Sequence, residues 1–311
     1  MKRFAFTCLA VWMMVCITAI SAQPTHNKTL RILAIGNSFS DDGMEYLPAL
    51  LDNLGVQNVE VARLYVGGCS LQQHLTFFNN QQSPYVMNRS KAGENRWVEH
   101  ESKVSLQYAL SQGEWDIVTL QQQSGKSGQY DSYEPYLGEL IKIIKALQPS
   151  ARIAWHMTWS YSANSTHGEF PKYDCNPKKM LNAIYGATMQ AIESHPEIEI
   201  IIPAGTTIQS LRMSAINNHP HDLTRDGYHM GFGAGRYALA CTWYEELIAP
   251  FTKTSMRGNS LFINKGMVAV TPITAAYCQK AAKWAVRRNF KPKKIKQATS
   301  ILRKIEHNKI D

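Results

Sequence analysis

The sequence predicts an α/β protein in which a parallel sheet of about five strands carries helices on both faces. Short, continuous apolar runs recur along the chain, as expected of strands buried on both sides. Segments with helical spacing separate them, and strand–helix alternation of this kind builds a parallel sheet. About 290 residues remain after the amino-terminal segment, which suits one large α/β domain better than two small ones.

Residues 30–35 form the first apolar run. Asp41 and Asp42 follow where a helix start favours negative charge, and Met44, Leu47, Leu50, Leu51 and Leu54 keep helical spacing until Gly55. The second strand is read at 59–66, closing on Gly67-Gly68, and the third at 115–120, with a helix over Tyr136–Leu147. A fourth strand at 152–157 leads to a helix over Pro177–Ser194. The fifth, Ile198–Ile202, is stopped by Pro203, and a final helix is read at 235–248. In such sheets ligands gather at the carboxyl ends of the strands, so polar residues just after each strand become the candidates.

The ends of the chain differ from its body. Residues 1–22 read as an export signal: Lys2 and Arg3, an apolar stretch over 4–20, then small residues at 19–22 before Gln23. A transmembrane anchor is the rival reading, but about 20 apolar residues are needed to span a bilayer and this run barely reaches that. Cleavage leaves no stable membrane insertion and an exported, periplasmic or extracellular, protein. Val15 before Cys16 does not suit a lipid anchor. Of the net charge of +9, two units belong to Lys2 and Arg3, while residues 287–311 hold nine Lys/Arg against two acids. The body, 23–286, is therefore neutral, without the bias that nucleic-acid binding needs, and residues 287–311 form a basic carboxyl-terminal tail. Cys69, Cys175, Cys241 and Cys278 match no zinc spacing; one or two disulfides and buried free thiols are both open.

Two constellations carry chemistry. Gly36-Asn37-Ser38-Phe39-Ser40 follows the first strand, where a serine meets the N–H groups of a helix start and Gly36 permits a tight turn. Ser38 or Ser40 there is either a nucleophile or a helix cap. Near the other end, Asp226-Gly227-Tyr228-His229 places a carboxylate three residues before an imidazole, close enough to orient one ring nitrogen while the other faces a serine.

Together these blocks resemble the SGNH hydrolases, the GDSL-type esterase/lipase superfamily, over roughly residues 30–250. Gly36-Asn37-Ser38 matches its first block and Asp226 to His229 its last. The resemblance implies a flavodoxin-like, three-layer α/β/α sandwich and a catalytic triad of Ser38, Asp226 and His229. It also implies an oxyanion-hole glycine after the second strand, for which Gly68 is chosen over Gly67. The third block departs: in place of Gly-x-Asn-Asp the chain reads Gln121-Gln122-Gln123-Ser124-Gly125, marking a divergent branch. A glutamine amide can donate the same hydrogen bond. Strand alternation puts Gln121 and Gln123 on one face, and Gln123, nearer the sheet edge, is favoured as the donor.

The implied reaction is ester hydrolysis through an acyl-serine, with no metal or organic cofactor. Tyr65, Trp155, Trp159, Tyr161 and Tyr228 are read as an aromatic rim suited to sugar, so removal of O-acetyl groups from a carbohydrate is the first expectation. The partner is then a small-molecule or polysaccharide ester. The rivals are a lipase, an O-acetyltransferase, a catalytically silent glycan-binding or envelope protein, and a metal hydrolase using His219, His221, Asp222, Asp226 and His229. A Gly-x-Ser-x-Gly elbow of the α/β-hydrolase kind is absent.

Overall fold

The computed structural model describes residues 28–296. The sequence from 1 to 22 read as an export signal, and the tail beyond 296, lie outside the described residues. Seven strands form one sheet: β1 (Leu30–Gly36), β2 (Val59–Tyr65), β3 (Tyr85–Ser90), β4 (Glu99–Val104), β5 (Ile117–Leu120), β6 (Arg152–His156) and β7 (Ile198–Ile202). Their spatial order is β4-β3-β2-β1-β5-β6-β7. The five strands read from the sequence, β2-β1-β5-β6-β7, are the parallel ones. Numbered in chain order they run 2-1-3-4-5, a doubly wound arrangement whose direction reverses between β1 and β5.

The core explains why these runs were visible. Ile32, Leu33, Ala34 and Ile35 of β1 are fully buried, because helices cover both faces of the sheet. The helices Ser38–Met44, Ala204–Arg212, Ala234–Trp243 and Pro272–Arg287 pack together, as do Leu71–Asn79, Leu106–Ser111 and Tyr136–Leu147. The β1–β2 and β5–β6 connections run in opposite directions along the sheet, and with right-handed crossovers this puts Ser38–Met44 and Tyr136–Leu147, and with them the two groups, on opposite faces. The result is a three-layer α/β/α domain.

The structure adds to the sequence reading in three places. The antiparallel pair β3–β4 extends the sheet beyond β2. β4 reads Glu-His-Glu-Ser-Lys-Val, with four consecutive exposed residues, the polar dress of an edge strand that resists pairing with other chains. The single helix read after β1 is two, because Pro48, which has no N–H to give to a helix interior, opens a second one over Leu47–Asn53. The helix read as final is followed by Pro272–Arg287, opened by the Thr271/Thr274 capping box. Beyond it the chain stays on the domain. Phe290 meets Tyr185 edge-on at 5.5 Å, and the N–H groups of Lys293 and Ile295 donate to Ser210 and Ser214 at 3.0 and 2.7 Å.

The four cysteines among the described residues are unpaired, with Cys69, Cys241 and Cys278 buried and Cys175 exposed. Among the described residues no helix is long and apolar enough to cross a membrane.

Candidate active site

The nucleophile candidate stands at the point where the winding reverses. β1 ends at Gly36, and Asn37 caps the following helix by accepting the Phe39 N–H on its side-chain oxygen at 3.0 Å. Ser40 turns its hydroxyl back onto the Asn37 carbonyl at 2.9 Å. Capping is therefore the work of Asn37, and the Ser38 hydroxyl is left free for another partner. The turn is close-packed: a Cβ on Gly36 would stand 2.4 Å from Ser40 Oγ and 3.1 Å from the Gln121 amide carbon.

That partner is His229, whose Nε2 lies 2.8 Å from Ser38 Oγ. Its Nδ1 lies 2.6 Å from Asp226 Oδ2, so the imidazole carries its proton on Nδ1 and offers Nε2 as acceptor to the serine hydroxyl. Asp226 Oδ1 also accepts the backbone N–H groups of His229 and Tyr228 at 2.8 and 3.2 Å. Burial alone would raise the Asp226 carboxyl, but these bonds and the nearby imidazole outweigh it and hold the group below the usual carboxylate range. Residues 191 apart in sequence thus meet in hydrogen-bond contact.

The loop that carries Asp226 and His229 is held from two sides. Arg225 N–H donates to the His229 carbonyl at 2.9 Å, closing a tight loop. The Gly227 carbonyl accepts the Ser162 N–H at 2.8 Å, and a Cβ at Gly227, where φ is +94°, would come within 2.8 Å of Ser165 Cα. On the other side, Asp42 is fully buried one helical turn from Ser38. It accepts Arg225 at 3.0 Å, Arg236 at 2.7 and 2.8 Å, and the Met230 N–H at 2.7 Å. The Phe232 ring lies under both guanidinium groups, 4.9 and 4.8 Å from its centroid. Asp42 therefore ties the helix bearing Ser38 to the loop bearing His229. The sequence reading used Asp42 only as a helix-start acid; partners 183 and 194 residues away leave no local signal.

The third block behaves differently from its reading. β5 ends at Leu120, so strand alternation does not reach the three glutamines and they face three ways. Gln121 is buried, and both ends of its amide are engaged: the NH2 donates to Asn37 Oδ1 at 2.7 Å, and the oxygen lies 2.9 Å from His156 Nδ1. Gln121, which alternation placed on one face with Gln123, thus spends both ends of its amide inside the fold. His156, wholly buried, is pushed down to about 3 by desolvation and stays neutral, donating from Nδ1. Asn37 Nδ2 in turn donates to the Cys69 carbonyl at 2.9 Å. Gln121 and Asn37 so fix the exposed loop of Gly67 and Gly68 relative to the serine turn. Gln122 accepts the N–H of Leu71 and of Gln123 at 3.1 and 2.8 Å. Gln123 caps a short turn, its oxygen accepting the Lys126 N–H at 3.0 Å.

The aromatic rim is also corrected. Trp155, Trp159 and Tyr161 are buried core residues, leaving Tyr65 and Tyr228 half-buried. Trp159 instead supports the site from beneath, stacking on Phe39 at 4.2 Å and donating its N–H to the Tyr228 carbonyl at 2.7 Å. Of the residues weighed as metal ligands, Asp222 is engaged by Asn217 and the Ala163 N–H, while His221 meets Asn164. Among the described residues no group of three or more His, Cys, Asp or Glu side chains could hold a metal ion.

Asp41 gives the site region a pH signature. Its carboxyl is pushed up to about 6 by desolvation, with Glu45 and Asp42 adding to the rise and Arg63, 3.5 Å away, opposing it. The folded chain holds this proton more tightly than the unfolded chain, whose value is near 3.8. Asp41 thus contributes stability that is present below about pH 4 and lost as pH rises through 6. Asp41→Asn is expected to gain stability relative to the wild type across that window and to hold a constant advantage above it. The gain is on the order of 100-fold in the unfolding constant. Urea denaturation at pH 4, 5, 6 and 7 measures this; a difference that does not vary with pH would refute it.

Fold and site together define a doubly wound α/β/α protein with a Ser–His–Asp constellation at the carboxyl edge of its sheet. The chain belongs to the DUF4886 family, a domain of unknown function, whose model matches residues 31–278. It is 34% identical to a DUF4886 family protein from Bacteroides uniformis with a crystal structure at 1.50 Å, covering 86% of this chain and 98% of that one, with a TM-score of 0.77. More remote is a protein from Slackia heliotrinireducens provisionally described as an SGNH hydrolase, at 20% identity, 70% and 99% coverage and a TM-score of 0.49. An acetylxylan esterase from Geobacillus stearothermophilus matches at 14% identity, 71% and 94% coverage and a TM-score of 0.47. No curated protein matches the chain.

Proposed function

We propose that this chain is an exported serine esterase that removes O-acetyl groups from a carbohydrate. The observation that carries the chemistry is the unbroken path from Ser38 Oγ through the His229 ring to Asp226, at 2.8 and 2.6 Å. A silent binding protein would have no need of that alignment, nor of the buried Asp42 clamp that maintains it.

In the proposed reaction the Ser38 hydroxyl proton passes to His229 Nε2 as Oγ bonds to the ester carbonyl carbon. Asp226 holds the Nδ1–H tautomer and stabilises the imidazolium. The backbone N–H groups of Ser38 and Gly68 receive the oxyanion, with the Gln123 NH2, whose oxygen is engaged elsewhere, as the side-chain donor of the third block. The carbonyl re-forms, the bond to the alcohol oxygen breaks, and His229 returns the proton to that oxygen. Water then repeats the sequence on the acyl-Ser38, releasing the acid. Tyr65 and Tyr228 supply the half-buried aromatic surface that favours a sugar over an aliphatic alcohol.

The test is hydrolysis by the purified protein of p-nitrophenyl esters from C2 to C10 and of an O-acetylated xyloside, with a fluorophosphonate to label the nucleophile. The expected result is activity highest at C2, release of acetate from the sugar, and a single label on Ser38. Preference for chains beyond about C8 would point to a lipase. A label elsewhere, or no turnover of any ester, would overturn the esterase reading.

A further inference from the structure

Resting on the esterase reading, we propose that His167 and Tyr228 form the subsite for the leaving alcohol and select a neutral, hydroxyl-bearing sugar over an anionic one. The placement follows from the proton's path. His229 Nε2 must return its proton to the departing oxygen, so the alcohol has to lie against His229, away from the Gly68 side that receives the oxyanion.

What lies against His229 is a small aromatic corner. The Tyr228 ring is 4.3 Å from the His229 ring. His167 meets Tyr228 edge-on at 4.8 Å and stands 4.7 Å from Tyr161, and is itself half-buried. Its tautomer is fixed by the backbone: the Glu169 N–H donates to His167 Nδ1 at 3.1 Å, so the ring proton sits on Nε2 as a hydrogen-bond donor. Partial burial lowers its pKa and favours the neutral ring. The acyl-transfer steps use neither the His167 ring nor its Nε2–H.

The charges around the corner set the sign of the preferred ligand. Glu169, the His229 ring and Asp226 all act on His167, the two acids against the imidazole. Lys172 pairs with Glu169 and Arg225 with buried Asp42, whereas among the described residues the Asp226 carboxylate faces only the His229 ring and two backbone N–H groups. The corner therefore offers an N–H donor and an aromatic face beside the Asp226 carboxylate, which repels another carboxylate. A pyranoside with free hydroxyls and no acid group meets all three conditions.

The experiment compares kcat/KM for an O-acetylated methyl xyloside, an O-acetylated methyl galacturonoside and p-nitrophenyl acetate. The wild type is expected to favour the neutral sugar over the anionic one by about tenfold or more. His167→Ala is expected to lower the ratio of neutral sugar to p-nitrophenyl acetate by about tenfold, chiefly through KM, and His167→Gln, which keeps an N–H donor, to recover part of it. An unchanged ratio in His167→Ala, or equal rates on the neutral and anionic sugars, would overturn the subsite while leaving the esterase intact. Failure of the wild type on all three substrates would instead sink the esterase reading, and the subsite with it.

Discussion

Replacing Ser38 by alanine is expected to lower kcat for ester hydrolysis by on the order of 10⁴-fold or more, with the fold preserved. The loss is large because the hydroxyl is the atom that bonds the acyl group, and no neighbour can take its place: Ser40 is committed to the Asn37 carbonyl. The cost to stability is small, since helix capping belongs to Asn37 and the change removes one half-buried oxygen. Initial rates on p-nitrophenyl acetate beside a thermal melt measure both effects. Retention of even one-tenth of the wild-type rate would show that the nucleophile is elsewhere.

Removal of the buried Asp42 carboxylate is expected to have the second largest effect, this time on the fold and the site together. Asp42→Ala leaves two guanidinium groups and the Met230 N–H facing a side chain that cannot accept from them. Breaking a buried pair by deleting one partner typically costs about 3–5 kcal/mol, because a charge stays in a poorly solvated place. The loop of Asp226 and His229 also loses its tie to the helix of Ser38, so kcat should fall further than the folded fraction does. Urea unfolding, together with rates measured under conditions where the variant is fully folded, separates the two effects. A stability loss below about 1 kcal/mol would show that Arg225 and Arg236 find other acceptors.

The parts legible in the sequence share a physical cause. The five parallel strands and the helices Tyr136–Leu147 and Pro177–Ser194 carry their hydrophobic pattern within a few residues of chain, since each buries a local face. That Ser38, Asp226 and His229 would meet was legible because the doubly wound fold brings polar residues after strands to one edge. The hairpin β3–β4 was not, because the exposed, charged β4 avoids the pattern that announces a buried strand. Trp155, Trp159 and Tyr161 misled for the opposite reason: residue type alone does not separate a ring in the core from one at a rim.

The sequence by itself therefore determined the sheet's parallel strands, the serine turn and the Asp-to-His spacing, all set by interactions between near neighbours. Only the tertiary structure decided what holds them in register. It assigned capping to Asn37, turned Gln121 inward to bond Asn37 beside His156, and buried Asp42 between Arg225 and Arg236. The Asn37 cap is local, but Gln121 and Asp42 find partners brought near by packing rather than by chain proximity, and burial compels such partnering, because a polar group removed from water is costly until another group satisfies it.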